Sequence, residues 1–407
     1  MLELLPAPPV DPLWELTAAY GADDRPERLN LVLGVYRDEA GTTPVMRAVR
    51  EAEIVLADRS ASKEYRGLSG NTAFNRAMLR TVLGSGGGAA GGPAAVPGDG
   101  PAARATAIQT VAGTGALRLL ADLVRHTRPG TTVWISDPAY VNHRPIMEAA
   151  GLRVRTYRWV GADGHHDAAG MLEDLRQAGR DEVVLLQGCC HNPTGVDPSA
   201  RTWADLADLA GRNGWVPLVD LAYHGLGDGL EADLAPTRML AERLPELLIA
   251  VSCSKNFGLY ADRTGCAIVL SPSARALRHV DTALQNAART LYSMPPEHGA
   301  AIVATILEDE ALRASWQAEL DTMRGRIRAN RAALTLQLAD LGRPALAAVL
   351  AGQKGMFSTL PLNEEQMLRL RGEFAIYGTT TGRINIAGIQ AERIPCLARG
   401  IAAVSGA

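Results

Sequence analysis

Lys255 is the residue in this chain with the most chemistry open to it. It follows the apolar run ELLIAVSCS (246–254) and precedes NFGLYADR (256–263). A lysine held at a buried site loses charge through desolvation and becomes an amine able to form a Schiff base. A solitary lysine ordinarily just carries its ammonium out to solvent. Asp220 closes a second apolar run, WVPLVD (215–220). A carboxylate buried there needs a partner, and capping a helix is its common alternative use. A lysine and an aspartate at neighbouring strand ends suit pyridoxal 5'-phosphate. The lysine takes the aldehyde, and the aspartate keeps the pyridine nitrogen protonated so that the ring withdraws electrons.

Other residues fit the same ligand. Gly113–Thr114–Gly115 precedes a helical pattern, where free backbone N–H groups bind phosphate and glycine allows close approach. Ser252 and Arg263 can add a hydroxyl and a guanidinium to that phosphate, although a short glycine turn is often only a turn. Asn192 in HNPTG and the hydroxyl of Tyr223 can meet the ring oxygen. Arg383 in GRINIAG and Arg289 in AARTLYSMPPEHGA can each clamp a carboxylate in a bidentate way, or simply face solvent. Cys189–Cys190–His191 is not read as a metal site. Adjacent cysteines chelate one tetrahedral ion poorly, and no second CxxC pair is present.

Alternating strand and helix patterns position these residues. Strands are expected at 105–113, running into a glycine turn, and at 131–138, 181–190, 215–220, 246–254 and 265–271, with helical spacing between them. Continuous apolar runs such as DEVVLLQGCC indicate strands buried on both faces of a parallel sheet. The fold class is therefore α/β. In such sheets ligands sit beyond the carboxyl ends of the strands. That is where Gly113–Thr114, Asp137–Tyr140, His191–Asn192, Asp220, Tyr223 and Ser252–Ser254–Lys255 fall. Residues 300–345 read as a long helix leading to a carboxy-terminal α/β unit. Residues 84–100 hold eight glycines and two prolines and read as a surface loop.

Composition narrows the class of protein. The chain has 407 residues, a net charge of −3 and 47% hydrophobic residues. These values are those of a globular protein and exclude a polybasic nucleic-acid binder. No apolar run reaches the roughly 20 residues that span a bilayer. The segment MLELLPAPPVDPLWEL lacks a basic region and is not read as a secretory signal. Five cysteines in so long a chain do not form a disulfide framework, and the expected compartment is a reducing cytoplasm.

Six segments together resemble the aspartate/aromatic amino-acid aminotransferases: LGVYRDEAG, GTGALR, CCHNPTGVDP, SKNFGLYADR, GMFS and GRINIAG. These are class I, fold-type I pyridoxal-phosphate enzymes, and the similarity runs nearly end to end. It implies a large domain with a mostly parallel seven-stranded sheet flanked by helices (45–321). A smaller α/β domain would be built from residues 1–44 and 322–407. It also implies a homodimer with shared active sites. Lys255 would be the Schiff-base lysine and proton shuttle, with Asp220 on the pyridine nitrogen and His143 behind it. Asn192 and Tyr223 would meet the ring oxygen. Gly113, Thr114, Ser252, Ser254 and Arg263 would hold the phosphate, joined by Tyr65 from the neighbouring subunit. Arg383 would bind the substrate α-carboxylate near Gly34, and Arg289 would reach across the interface to a side-chain carboxylate. Phe357 would line the pocket. The implied substrates are an aspartate- or aromatic-type amino acid and a 2-oxo acid such as 2-oxoglutarate.

Five positions depart from the family pattern. Tyr140 stands where a tryptophan covers the cofactor ring, and Met294 replaces the asparagine of YSNPP. Gln187 replaces the first histidine of HGCCHNPTG, Glu64 replaces an asparagine, and Trp14 stands in place of a small aliphatic residue. Clustered at one pocket, such changes leave a second outcome open. The same carbanion could be diverted to β- or γ-elimination, replacement or carbon–carbon bond formation, with Trp14 and Tyr140 as an aromatic platform. A non-catalytic cofactor sensor is disfavoured by the complete catalytic set.

Overall fold

The computed structural model describes residues 2–5, 11–59, 62–84 and 100–406. Apart from Gly84 and Gly100, the glycine-rich segment 84–100 lies outside the described residues. The chain divides into two compact units. One comprises residues 44–192 and 196–325, and the other residues 1–43, 193–195 and 326–407.

The larger unit begins with α1 (Arg47–Arg59) and α2 (Thr72–Leu83) and continues as β1 (Ala105–Val111), α3 (Ala112–Thr127), β2 (Thr132–Asp137), α4 (His143–Ala149) and β3 (Arg153–Arg158). It goes on through α5 (Ala168–Leu175), β4 (Val183–Gln187), α6 (Ala200–Asn213), β5 (Val216–Leu221), α7 (Leu230–Arg243) and β6 (Leu247–Ser252). It closes with β7 (Thr264–Leu270), α8 (Ala274–Leu291) and α9 (Glu297–Glu308). The sheet has seven strands in the order β1-β7-β6-β5-β4-β2-β3. Only β7 runs against its neighbours. Every residue of β4, β6 and β7 is buried. Each fully buried Leu, Ile or Val stabilises the fold by about 1.5–3 kcal/mol, so these strands read as unbroken apolar runs.

On one face of the sheet, Leu119, Leu120 and Leu123 of α3 and Leu284 and Ala288 of α8 join Ile108, Ile135, Leu185, Leu218, Leu248 and Val269 in one core. Caps start the covering helices where they are needed. Ser199 Oγ accepts the Thr202 N–H at 3.1 Å, and Gly214 ends α6 in the left-handed region at φ 76°.

Three boundaries differ from the sequence-based expectation. Helix α3 begins at Ala112, directly after β1, so Gly113–Thr114–Gly115 forms its first turn rather than a separate glycine turn. Strand β4 ends at Gln187, and Cys189–Cys190 lies in the following turn. The long helix breaks at Asp309, whose Oδ1 accepts the N–H groups of Ala311 and Leu312 and so starts a new helix, α10 (Glu310–Asp340). Edge strand β3 was missed. Its sequence RVRTYR buries only Tyr157 fully, and the arginines along it discourage edge-to-edge pairing.

In the smaller unit, Asp11 caps the helix Pro12–Gly21. Leu29–Asn30 pairs in parallel with Ile376–Tyr377, and Phe357–Thr359 pairs antiparallel with Arg383–Asn385. The helices Pro344–Ala351, Glu364–Phe374 and Ile394–Val404 complete it. The division between units falls inside α10. Among the described residues no helix is long and apolar enough to cross a membrane.

Candidate active site

Topology gathers the polar residues of the larger unit at one edge of its sheet. Strands β1, β2, β4, β5 and β6 all end there. Antiparallel β7 starts there, because it runs the other way. Its start brings Arg263 beside α3: Ala112 N–H donates to Arg263 O at 2.9 Å. Both residues have positive φ, 55° and 54°. That is a costly conformation for residues with a Cβ, and it is held by this junction.

The first turn of α3 is open. Its N-cap residue, Val111, makes no side-chain cap, so after Ala112, whose N–H is taken by Arg263 O, the N–H groups of Gly113 and Thr114 are those that suit a ligand. A Cβ on Gly113 would lie 3.1 Å from Ser252 Cβ, so a side chain here would push the turn and the end of β6 apart by a few tenths of an ångström. Ser254 Oγ is 3.5 Å from Arg263 Nη1, which also donates to Tyr260 O at 3.0 Å. Backbone donors, two serine hydroxyls and a guanidinium therefore share one corner, a donor set suited to a phosphate dianion.

Lys255 and Asp220 occupy adjoining strand ends. Lys255 Nζ lies 5.1 Å from the centroid of the Tyr223 ring. Burial pushes its amine down to about 8; the Asp220 charge opposes this and the Arg263 charge adds to it. Asp220 is buried, and its Oδ2 is 2.9 Å from His143 Nε2. Tyr140 meets the His143 ring edge to face at 5.2 Å. Asn192 Nδ2 donates to Tyr223 OH at 3.1 Å. Thr114 and Arg263 are exposed, as is Tyr65 at 89%. Arg289, at the end of α8, is also exposed and donates to Ser293 Oγ at 2.7 Å, one residue before the half-buried Met294.

The smaller unit holds Trp14, Gly34, Phe357 and Arg383. Arg383 is buried, donates from Nη2 to Val32 O at 2.7 Å and lies over the Phe357 ring at 4.6 Å. Gly34 also lies against this ring, since a Cβ there would come within 2.5 Å of Phe357 Cζ. Trp14 is 64% exposed.

The family model for "Aminotransferase class I and II" matches residues 26–401. The chain belongs to the class I and II aminotransferases. It is 41% identical to the aspartate aminotransferase of Salmonella typhi, over 99% of this chain and 100% of that protein. It is 43% identical to the aromatic-amino-acid aminotransferase of Pseudomonas aeruginosa, over 97% of each. A crystal structure of the aromatic-amino-acid aminotransferase of Burkholderia pseudomallei, covalently bound to pyridoxal phosphate, superposes with a TM-score of 0.94 at 37% identity over 99% of both chains. The architecture is thus the fold-type I architecture of this family.

The residues at the five departures differ in setting. Gln187 is buried, and its amide pairs with the backbone N–H and C=O of Asn192. Glu64 is exposed, and Trp14 belongs to the smaller unit. The ligand atoms of Cys189, Cys190 and Asp233 lie within 4.8 Å of one another. Asp233, however, accepts the N–H groups of Gly225, Gly227 and Asp228 at 2.8–2.9 Å. Cys190 and burial together push the Cys189 thiol up, and the Asp233 carboxylate ties the loop at 225–228.

Three supporting residues escaped the sequence analysis. Asn385 Nδ2 donates to Leu33 O and Val35 O at 2.7 and 2.8 Å, which holds the chain on both sides of Gly34. Buried Arg331 donates to Gly355 O and Phe357 O at 2.6 and 3.0 Å. Asp197 takes the N–H groups of Cys190 and His191. The one available signal was Asn385 two residues after Arg383, the same-face spacing of a strand.

Proposed function

We propose that this aminotransferase moves an amino group between an aspartate- or aromatic-type amino acid and a 2-oxo acid such as 2-oxoglutarate, with Lys255 as its reactive amine. The cofactor is pyridoxal 5'-phosphate. When bound, it condenses with primary amines and draws electrons away from the α-carbon of the substrate. The observation that carries the reading is the junction of Lys255, Tyr223 and the Asp220–His143 pair at adjoining strand ends.

Each residue has a definite task. Lys255, whose amine is half neutral at pH about 8, would hold the cofactor's aldehyde carbon with loss of water and, once the substrate amine has displaced it there, would take the proton that leaves the substrate α-carbon. Asp220 accepts the pyridine N–H, and His143 fixes its second oxygen. Asn192 and Tyr223 offer hydrogen bonds to the ring oxygen, and Tyr140 covers the ring. The Gly113 and Thr114 N–H groups, Ser252, Ser254 and Arg263 hold the phosphate. Arg383, over the Phe357 ring, receives the α-carboxylate beside Gly34. Trp14 and Met294 border the amino-acid side chain.

Exposed Tyr65 and Arg289 serve a second copy of the chain, Tyr65 at its phosphate and Arg289 at a distal carboxylate. A homodimer is therefore part of the proposal. Among the described residues the cysteines form no disulfide, which fits a cytoplasmic setting.

The test is glutamate formation from 2-oxoglutarate with a panel of amino donors. Turnover with aspartate, tyrosine or phenylalanine supports the reading. Arg289→Ala should weaken dicarboxylate substrates by about tenfold or more and spare aromatic ones. Absence of turnover with every donor overturns it.

A further inference from the structure

Gln187 ends β4 and is 4% exposed. Both ends of its carboxamide are taken by one residue five positions later. Nε2 donates to Asn192 O at 2.8 Å, and Oε1 accepts the Asn192 N–H at 2.8 Å. A side-chain amide that meets both backbone groups of a residue copies the pairing of a neighbouring strand. It fixes where that residue sits and the direction in which its side chain leaves the backbone. The intervening turn is itself held. Cys190 has φ 53°, and the N–H groups of Cys190 and His191 donate to the Asp197 carboxylate at 2.7 and 2.9 Å. The strap starts beside Asp220, since Gln187 and Asp220 are partners in the β4–β5 register. It ends where Asn192 Nδ2 donates to Tyr223 OH at 3.1 Å.

We propose that Gln187 is a positioning residue for transamination: its clamp on the Asn192 backbone aims the Asn192 carboxamide at the Tyr223 hydroxyl and so governs the hydrogen bonds delivered to the cofactor's ring oxygen. Gln187 touches neither substrate nor cofactor. The inference rests on the roles proposed above for Asn192 and Tyr223. An amide suits the task because it donates and accepts at once and keeps both capacities at every pH near neutral. An imidazole at this position would titrate in the working range.

A donor on the ring oxygen favours the more negative form of the cofactor. Weakening it moves the cofactor's protonation midpoint upward, by about 0.5–1 pH unit for one ordinary hydrogen bond. The experiment is a spectrophotometric pH titration of the cofactor-loaded protein without substrate. Gln187→Met, similar in length but without donor or acceptor on that scale, should raise the midpoint by about 0.5–1 unit. Asn192→Ala should raise it as well. In the Asn192→Ala background, Gln187→Met should add nothing, because the two act in series.

A structural role alone would lower the melting temperature and leave the midpoint in place. Gln187→His, which keeps one polar contact, gives a second reading if the methionine variant does not fold, with a smaller upward shift expected. An unmoved midpoint, or an equal shift with and without Asn192, overturns the inference while the site reading stands. A wild-type protein with no cofactor band removable by Lys255→Ala overturns the site reading and the inference with it.

Discussion

His143 Nε2 and Asp220 Oδ2 lie 2.9 Å apart and both residues are buried, although one opens α4 after β2 and the other is the last residue but one of β5. The sheet order places β4 between these two strands. A helix start and a strand end from separate crossovers therefore meet at one carboxylate. The pairing occupies one oxygen and fixes the carboxylate plane, which leaves Oδ1 as the acceptor for a ring N–H.

That geometry sets an order of severity. Asp220→Ala removes the acceptor and should lower kcat by about 100-fold or more. His143→Leu leaves the carboxylate in place without its guide and should cost about tenfold. The double variant should be no slower than Asp220→Ala alone, because the histidine acts only through the aspartate. Steady-state kinetics with 2-oxoglutarate check this. A His143→Leu loss equal to that of Asp220→Ala would contradict it.

The lysine provides a pH signature. Burial lowers its amine to about 8, Asp220 raises it and Arg263 lowers it. Below that value the ammonium dominates and cannot attack; above it the neutral amine can. The rate at which cofactor-free protein captures pyridoxal 5'-phosphate should rise with pH, pass its midpoint near 8 and then level off. Arg263→Gln removes a lowering charge and should move the midpoint up, whereas Asp220→Asn should move it down. Stopped-flow absorbance reads all three. A wild-type midpoint near the ordinary lysine value of about 10.4 would contradict the burial argument.

Gly265 tests the junction that builds the phosphate corner. A Cβ there would lie 2.4 and 2.5 Å from Ala112 C and O and 2.7 Å from Val251 O, all backbone atoms. Neither neighbour can swing away as a side chain could. Gly265→Ala should destabilise the protein by about 2 kcal/mol or more and weaken cofactor binding with it. Denaturant unfolding of the cofactor-free protein, compared with cofactor titration, measures both. Gly67→Ala is a useful contrast for space, since nothing lies within 4 Å, but its φ of 99° strains any side chain.

Arg383 is predicted to depend on its shape as well as its charge. Its guanidinium lies over Phe357 and donates to Val32 O. Arg383→Lys keeps one positive charge and loses the flat, bidentate fork. KM for the amino donor should rise by about tenfold or more with a smaller change in kcat. An unchanged KM would remove Arg383 from carboxylate binding.

The sequence made some elements legible and hid others for physical reasons. Strands β4 to β7 are buried throughout or nearly so, and a buried strand has little choice but an apolar run. Edge strand β3 satisfies water on one side and carries three arginines, so it has no such run. Lys255, Asp220 and Asn192 were visible because rare residue types interrupt apolar segments at strand ends. Asp197, Arg331 and Asn385 were not, because each acts on backbone groups that any sequence supplies. Gln187 was noticed as an unusual residue, but its task depends on a hydrogen-bond pair that only the folded turn creates.

The account stands most directly on a single turnover. Cofactor-loaded protein is mixed with excess L-aspartate or L-phenylalanine in the absence of any 2-oxo acid, and the products are quantified. We expect about one equivalent of the matching 2-oxo acid per site, no ammonia, and formation of glutamate when 2-oxoglutarate follows. Lys255→Ala should release none on the same timescale. Release of ammonia in place of a retained amino group, or a Lys255→Ala protein that matches the wild type, would contradict the account.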